Sequence, residues 1–154
     1  AAEVMENDFH AWALLITCYE ALGNREGVRH AAEMMVEQAE KAIGEDPSNG
    51  AALGIGAGGL AALGETERAR EWIDRALLVD PDNRNLRYNF ACILAVHLKD
   101  ADAAMDLLEG TFAEEPGPVM IRLASADPDL DSLRSIPRFQ NMLSAARKRL
   151  GIDP

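Results

Sequence analysis

The chain has 154 residues and a formal net charge of −11, and 48% of its residues are apolar although only 5% are aromatic. This length is enough for one domain with a sizeable core, and the acidic balance disfavours nucleic acids and anionic membranes as partners, since both attract basic surfaces. No apolar run reaches the roughly 18 residues that span a membrane. We therefore expect a cytoplasmic protein without membrane insertion or nucleic-acid binding.

Recurring apolar positions predict three pairs of helices, of which the first is Phe9–Leu22 and Glu26–Ile43. The first helix carries apolar side chains at helical spacing on one face, namely Trp12, Leu15, Ile16 and Tyr19. The second pair is Gly50–Leu63 and the segment from Gly64 to Pro81. Gly64 suits the left-handed end of one helix, and Pro81 cannot continue the next.

A third pair, Arg84–Leu98 and Ala101–Phe112, is followed by a closing region. The closing region predicts a short helix at Val119–Ala126, a turn at Asp127–Arg134 and a final helix at Arg138–Leu150. One face of the final helix is apolar and would cap the helix pairs, through Phe139, Met142, Leu143 and Ala146.

A spacing of 34 residues separates Pro47 from Pro81 and Ala69 from Ala103, although the first predicted pair is seven residues longer, since Gly23 and Gly64 lie 41 residues apart. A helix pair repeated at this length, with a small residue early in its second helix and a closing proline, resembles the tetratricopeptide repeat. The resemblance implies an all-α, right-handed α-solenoid of antiparallel helix pairs with a C-terminal capping helix. It implies a single domain over residues 1–154, with repeats at about 9–47, 50–83 and 84–117 and a cap at about 118–151.

The closing region carries a second resemblance. The turn at Asp127–Arg134, followed by Pro137, Arg138 and Phe139, is similar to the end of repeat regions joined to bacterial adenylate cyclases, kinases and transcriptional regulators. This resemblance implies the regulatory region of a longer bacterial signalling protein, of which the chain is a fragment. It is an argument from fold, and it names no partner.

In the tetratricopeptide family, the first helix of each repeat lines a concave groove that binds partners. The resemblance places these residues in that groove: His10, Ala13, Thr17, Glu20, Ala51, Gly54, Gly58, Asn85, Tyr88, Asn89 and Cys92. The Asn89 amide could pair with both groups of a peptide bond, and Tyr88 could add area and a hydroxyl. The alternative is that both residues tie adjacent repeats together.

Some family members clamp a C-terminal carboxylate with cationic side chains. The corresponding positions in this chain hold no cation, so we do not expect that activity here.

Four glycines between Gly54 and Gly59 match the G-x-G-x-x-G pattern of dinucleotide sites. That site needs a strand before the glycines, whereas these lie within a predicted helix, so no cofactor is expected. The glycines instead predict close packing against Trp12 or Trp72, and a shallow groove floor is the functional alternative. Each interior glycine costs a helix about 1 kcal/mol relative to alanine, so packing must compensate, or this helix is soft.

The remaining polar patterns predict no catalysis and no metal site. Asp127, Asp129 and Asp131 begin like a calcium loop, but its glycine and bidentate glutamate positions hold Ser132 and Arg138, so helix capping is favoured. No nucleophile or histidine motif is present. Cys18 and Cys92 each lie within apolar helical patterns and are predicted to be buried.

Together these observations predict a non-enzymatic protein-interaction module that docks a peptide or helix of a partner in its groove. Two other functions remain open. The chain could dimerise its parent protein, through the glycine-rich helix or an apolar N-terminal face, or it could sense a small ligand or signal peptide.

Overall fold

A computed structural model of the chain describes residues 9–113 and 116–151, and every regular element in these ranges is helical. The prediction of an all-α protein is confirmed. The elements are α1 (Phe9–Ala21), α2 (Arg25–Glu45), α3 (Gly50–Ala62), α4 (Thr66–Val79), α5 (Arg84–Val96), α6 (Ala101–Ala113), α7 (Pro118–Ala126), a 3₁₀ helix (Pro128–Leu133) and α8 (Pro137–Arg149). Each predicted helix is present, with its ends shifted only slightly.

The chain divides into two compact units, Ala1–Asn83 and Arg84–Pro154. The first unit contains α1 to α4, and the second contains α5 to α8 with the 3₁₀ helix. The division falls where the sequence predicts the end of the second helix pair and the start of the third.

In the first unit, each helix packs on its neighbour along the chain, and α1 also touches α3. Many of the fully buried side chains are small, which allows close approach of the helices, as in Ala31, Ala32, Ala39, Ala57, Ala69 and Ala76. Leu53 and Leu60 on α3 are fully buried among them. The turns before α2 and α3 are capped by Asn24 and Asn49, whose side chains accept hydrogen bonds from backbone N–H groups at 2.9 and 3.0 Å.

Two glycines of α3 lie against bulky neighbours. A Cβ atom at Gly56 would overlap the Trp72 ring, and one at Gly59 would lie 2.9 Å from Cγ2 of Val36. The packing explanation of these glycines is therefore confirmed, and of the two candidate tryptophans Trp72 fills the space. Packing of this kind offsets the low helix propensity of α3.

The helix ends differ between the two units. Gly23 and Gly64 adopt left-handed backbone conformations, with φ of 65° and 79°, where α1 and α3 end, and the helix end at Gly64 is as predicted. After α5, the left-handed residue is Lys99, with φ of 55°. The left-handed residue lies three positions after the end of α5 instead of two, so this turn is longer by one residue, and the N–H of Asp100 donates to the carbonyl of Leu94 at 2.9 Å.

In the second unit, α5 packs on α6 and on the 3₁₀ helix, and α8 packs on α6 and α7. The large residues Phe90, Phe112 and Phe139 are buried. The predicted apolar face of α8 is buried as well, through Phe139, Met142, Leu143 and Ala146. On the surface, Arg138 ties α8 to α6 through Asp106 and Glu109, at 2.9 and 2.8 Å.

Replacing Gly56 with alanine tests the packing of α3. We expect Gly56→Ala to lower the free energy of unfolding by about 1–3 kcal/mol, because the added methyl group must displace the Trp72 ring. The matched control is Gly44→Ala in α2, where a Cβ would meet nothing within 4 Å. The control should be neutral or stabilising by up to about 1 kcal/mol. Urea unfolding measures both variants, and equal effects would contradict the assignment.

Candidate functional site

The predicted groove residues of the first unit lie on two adjacent helices. On α1, Ala13, Thr17 and Glu20 are exposed, and the Thr17 hydroxyl donates to the Ala13 carbonyl at 3.3 Å. The backbone of His10 belongs to α1, but its side chain lies outside the described part of the structure. On this helix, three of the four predicted residues are therefore open to solvent.

On α3, Ala51 is exposed, and Gly54 and Gly58 are half-buried. The accessible side of α3 carries one larger side chain, Ile55, which is half-buried against the core cluster around Ile16, and the whole helix carries no charged residue. We call Ala13, Thr17, Glu20, Ala51, Gly54 and Gly58 the small-residue surface. It is an area where another chain could approach the backbone closely, because glycine and alanine leave little in the way.

A cleft of about 750 Å³ opens at the ends of these helices. Its apolar wall is formed by Tyr19, Val28, Ala62 and Leu63, and its charged rim by Glu20, Arg25, Arg29, Glu33 and Glu65. The Tyr19 ring is held against the backbone of α2, since a Cβ at Gly27 would lie 2.7 Å from it. Glu20 therefore belongs both to the small-residue surface and to the cleft.

The cleft was not predicted from the sequence. Tyr19 was predicted to pack on the apolar face of α1, and its ring does pack against the core cluster around Ile16. The charged residues of the rim come from helix ends that are distant in sequence. Among the predicted groove residues, Glu20 lines the cleft, and its position near the end of α1 was the one signal in the sequence for this region.

In the second unit, two predicted groove residues are buried instead of open. Tyr88 and Cys92 are 4% and 8% exposed, and they lie against the segment that begins the 3₁₀ helix. The Tyr88 hydroxyl donates to Oδ2 of Asp127 at 2.7 Å, and Sγ of Cys92 lies 3.9 Å from the same oxygen. Both residues must therefore be removed from the set of accessible partner-binding residues, because the closing region covers them.

Burial controls the protonation of these two groups. It raises the pKa of Tyr88 well above its usual value of 10.0, and the hydrogen bond to Asp127 acts in the same direction. Burial, followed by the charge of Asp127, raises the pKa of Cys92 to about 12. The hydroxyl and the thiol are therefore protonated at neutral pH, so Cys92 has no thiolate with which to react.

Two of the three aspartates of the closing region, Asp127 and Asp131, serve as a helix cap and an ion-pair partner. Oδ1 of Asp127 accepts from the backbone N–H of Asp129 at 3.0 Å, which caps the 3₁₀ helix as predicted. Asp131 pairs with Arg134 at 2.6 Å. The Arg134 guanidinium also donates to the carbonyls of Ser125 and Asp127. Within residues 9–113 and 116–151, no group of three potential metal ligands is present.

Asn85 and Asn89 are exposed one helical turn apart on α5. Neither amide makes a side-chain hydrogen bond within the described part of the chain, so both remain available to a partner. Of the two alternatives proposed for Tyr88 and Asn89, Tyr88 follows the structural one and ties α5 to the closing region. Asn89 does not share that role.

The two cysteines differ in exposure. Cys92 is buried, as predicted, but Cys18 is exposed. The prediction for Cys18 was wrong because α1 is apolar around most of its circumference, so its sequence pattern does not identify the side that packs. Ile16 marks the buried side.

A scan against protein-family models, a search of curated proteins and a search of solved structures each returned no match to this chain. The resemblance to tetratricopeptide repeats therefore stays a prediction that depends on the residues quoted above. Among the described residues, no helix has both the length and the hydropathy needed to cross a membrane.

Removing the Tyr88 hydroxyl tests the contact that anchors the closing region. We expect Tyr88→Phe to lower the free energy of unfolding by about 1–2 kcal/mol, because it leaves an Asp127 oxygen partly buried without its donor. Tyr19→Phe is the matched control, since the Tyr19 hydroxyl makes no hydrogen bond in the described part of the chain. Its effect should stay below about 0.5 kcal/mol. Chemical denaturation with urea compares the two, and a neutral Tyr88→Phe would refute the role of this hydrogen bond.

Stability should also fall at alkaline pH through Cys92. The pKa of this thiol is higher in the folded chain than its ordinary value of 9.0. Its contribution is therefore fully present below about pH 9 and is lost as pH rises toward about 12, with a slope of up to about 1.4 kcal/mol per pH unit. Cys92→Ala should flatten this decline, whereas Cys18→Ala should not. Urea unfolding at a series of pH values from 8 upward measures the slopes, and identical slopes in both variants would contradict the assignment.

Proposed function

We propose that the chain is a non-catalytic protein-interaction module that binds an extended peptide or a helix of a partner protein. The docking site is the small-residue surface of the first unit. The observation that carries the proposal is the open side of α3, where Ala51 is exposed and Gly54 and Gly58 are only half-buried. A partner's backbone or side chain can approach this floor closely.

The helix composition supports this proposal. Gly56 and Gly59 are accounted for by contacts with Trp72 and Val36 inside the unit. Gly54 and Gly58 lie on the more accessible side of the same helix, where alanine would favour the helix by about 1 kcal/mol per position. A binding function on that side gives a reason for glycine at both positions.

The adjacent cleft supplies the charged groups that would orient a bound peptide. Glu20 on its rim can pair with a lysine or arginine, and Arg25 can pair with a carboxylate, whereas Glu65 is already paired with Arg68 at 2.6 Å. Since the whole chain carries a net charge of −11, basic peptides should also associate with it faster than acidic ones. The proposed partner segment is therefore short, basic and partly apolar.

The cleft also bears on the alternative of a small-ligand sensor. Its volume of about 750 Å³ falls within the usual range for ligand pockets. Its rim, however, is built from five charged side chains, and typical ligand pockets are mainly apolar. These features favour the end of a peptide over a small apolar molecule.

The sequence resemblances extend the proposal to a fold family and to a kind of parent protein. We infer a tetratricopeptide-like solenoid that serves as the regulatory region of a bacterial signalling protein. The helix pairs, their left-handed turns at Gly23 and Gly64 and the apolar face of α8 support this inference. In such a module, specificity comes from the surface residues of the first helix of each pair.

Peptide selection tests the docking site. Peptides that bind the full chain are selected from a displayed random library, and their affinities are measured by fluorescence anisotropy. We expect Ala51→Arg to weaken binding at least about tenfold, because a long charged side chain would cover the floor of α3. Ala145→Arg, at an exposed alanine of α8, is the control with the same change of charge and should bind normally.

Two results would contradict the proposal. The first is equal loss of affinity in both arginine variants, which would indicate a general effect of charge. The second is a selection that enriches no peptide. Asn89→Ala in the same assay tests the second unit, and unchanged affinity would remove Asn89 from the site.

A further inference from the structure

Two of the five charged side chains on the rim of the cleft make no ion pair within the part of the chain that the structure describes. Arg29 pairs with Glu33 at 2.9 Å, and Glu65 pairs with an arginine of α4 at 2.6 Å. Glu20 and Arg25 have no such partner among the described residues, and both are exposed. Glu20 is therefore the carboxylate of this rim that is open to a cation from outside.

The wall below this carboxylate is apolar. Tyr19 precedes Glu20 on α1, and its half-buried ring lines the cleft together with Val28, Ala62 and Leu63. A side chain that fills such a site needs an apolar stem for the wall and a positive end for the carboxylate. Lysine and arginine both have this form, because their methylene stems can lie on apolar surface while the charged end stays at the rim.

The ring beside the carboxylate favours arginine over lysine. A guanidinium group is planar, so it can stack on an aromatic ring and also donate two parallel hydrogen bonds to one carboxylate. A lysine ammonium is a compact and strongly hydrated charge that cannot form this double bond. Tyr19 and Glu20 line the same cleft and offer the ring and the carboxylate together.

The chain itself holds an arginine in this manner next to the cleft. The Arg68 guanidinium lies 5.9 Å from the centre of the Trp72 ring, and it pairs with Glu65 and Glu40, each at 2.6 Å. Glu65 is also one of the residues that line the cleft. This surface therefore already contains one arginine fixed by a ring and carboxylates.

We propose that the cleft is a specificity pocket for one arginine side chain of the docked peptide. The stem lies on the apolar wall, and the guanidinium lies against the Tyr19 ring and pairs with Glu20. Because Glu20 belongs to the small-residue surface as well, a segment on α3 can reach the cleft. Arg25 repels a second cation, so the pocket selects a single arginine and not a basic run. This inference rests on the proposed docking function.

Chemical replacement of the peptide arginine tests the pocket. Peptides are selected on the full chain from a displayed random library, and we expect one position to be enriched in arginine. In the tightest peptide, citrulline at that position keeps the shape but removes the charge, and it should weaken binding by about tenfold or more. Lysine keeps the charge and should weaken binding by about threefold or more. Fluorescence anisotropy measures the three affinities.

A double-mutant cycle assigns the effect to Glu20. Glu20→Gln should weaken binding of the arginine peptide by about tenfold, and citrulline should then cause little further loss, because the two changes remove the same contact. Glu37→Gln is the matched control. Glu37 is an exposed glutamate of α2 outside the cleft, and its variant makes the same change of charge. The full citrulline effect should persist in that variant.

The outcomes separate the pocket from the docking site. Equal affinity of the arginine and lysine peptides, or a citrulline effect that Glu20→Gln leaves undiminished, overturns the arginine pocket. Peptide docking on α3 would stand in that case if Ala51→Arg still weakens binding. A selection that enriches no peptide contradicts the docking function and the pocket together.

Discussion

The close approach of α3 to its neighbours is the constraint on which the first unit depends. Gly56 admits the Trp72 ring from α4, and Gly59 admits Val36 from α2, so a single helix with few large side chains is enclosed from two directions. Leu53 and Leu60 are then fully buried although five of the 13 residues of α3 are glycines, which lower its helix propensity. Tertiary packing, and not local propensity, therefore stabilises this helix.

In the second unit, polar contacts hold the closing region against α5. There the closing region is fixed by Asp127, which joins the Tyr88 hydroxyl to the first turn of the 3₁₀ helix. Arg134 holds the end of α7 in the same region. One unit thus leaves the accessible side of α3 open, whereas the other covers the corresponding part of α5. This contrast is the reason that we propose the docking site in the first unit.

The sequence predicted the helices well because their signals are local. Apolar spacing, the left-handed residues Gly23 and Gly64 and the stop at Pro81 each depend on neighbours along the chain. Exposure depends on distant residues, and prediction failed there. Tyr88 and Cys92 are covered by a segment far along the chain, and the pattern of α1 could not show that Cys18 is outside the core. The cleft was missed because its rim is assembled from several turns.

The bond between Tyr88 and Asp127 joins residues 39 positions apart. Its formation requires the intervening α6 and α7 to be in place, which makes it a non-local contact in folding terms. It also sets a limit for shortening the protein. A truncated chain that ended before Asp127 would keep α5 and α6 but would lose the 3₁₀ helix that packs on α5, and it would leave the Tyr88 phenol without its acceptor. The last quarter of the sequence is therefore an integral part of the second unit and cannot be treated as an appendage to it.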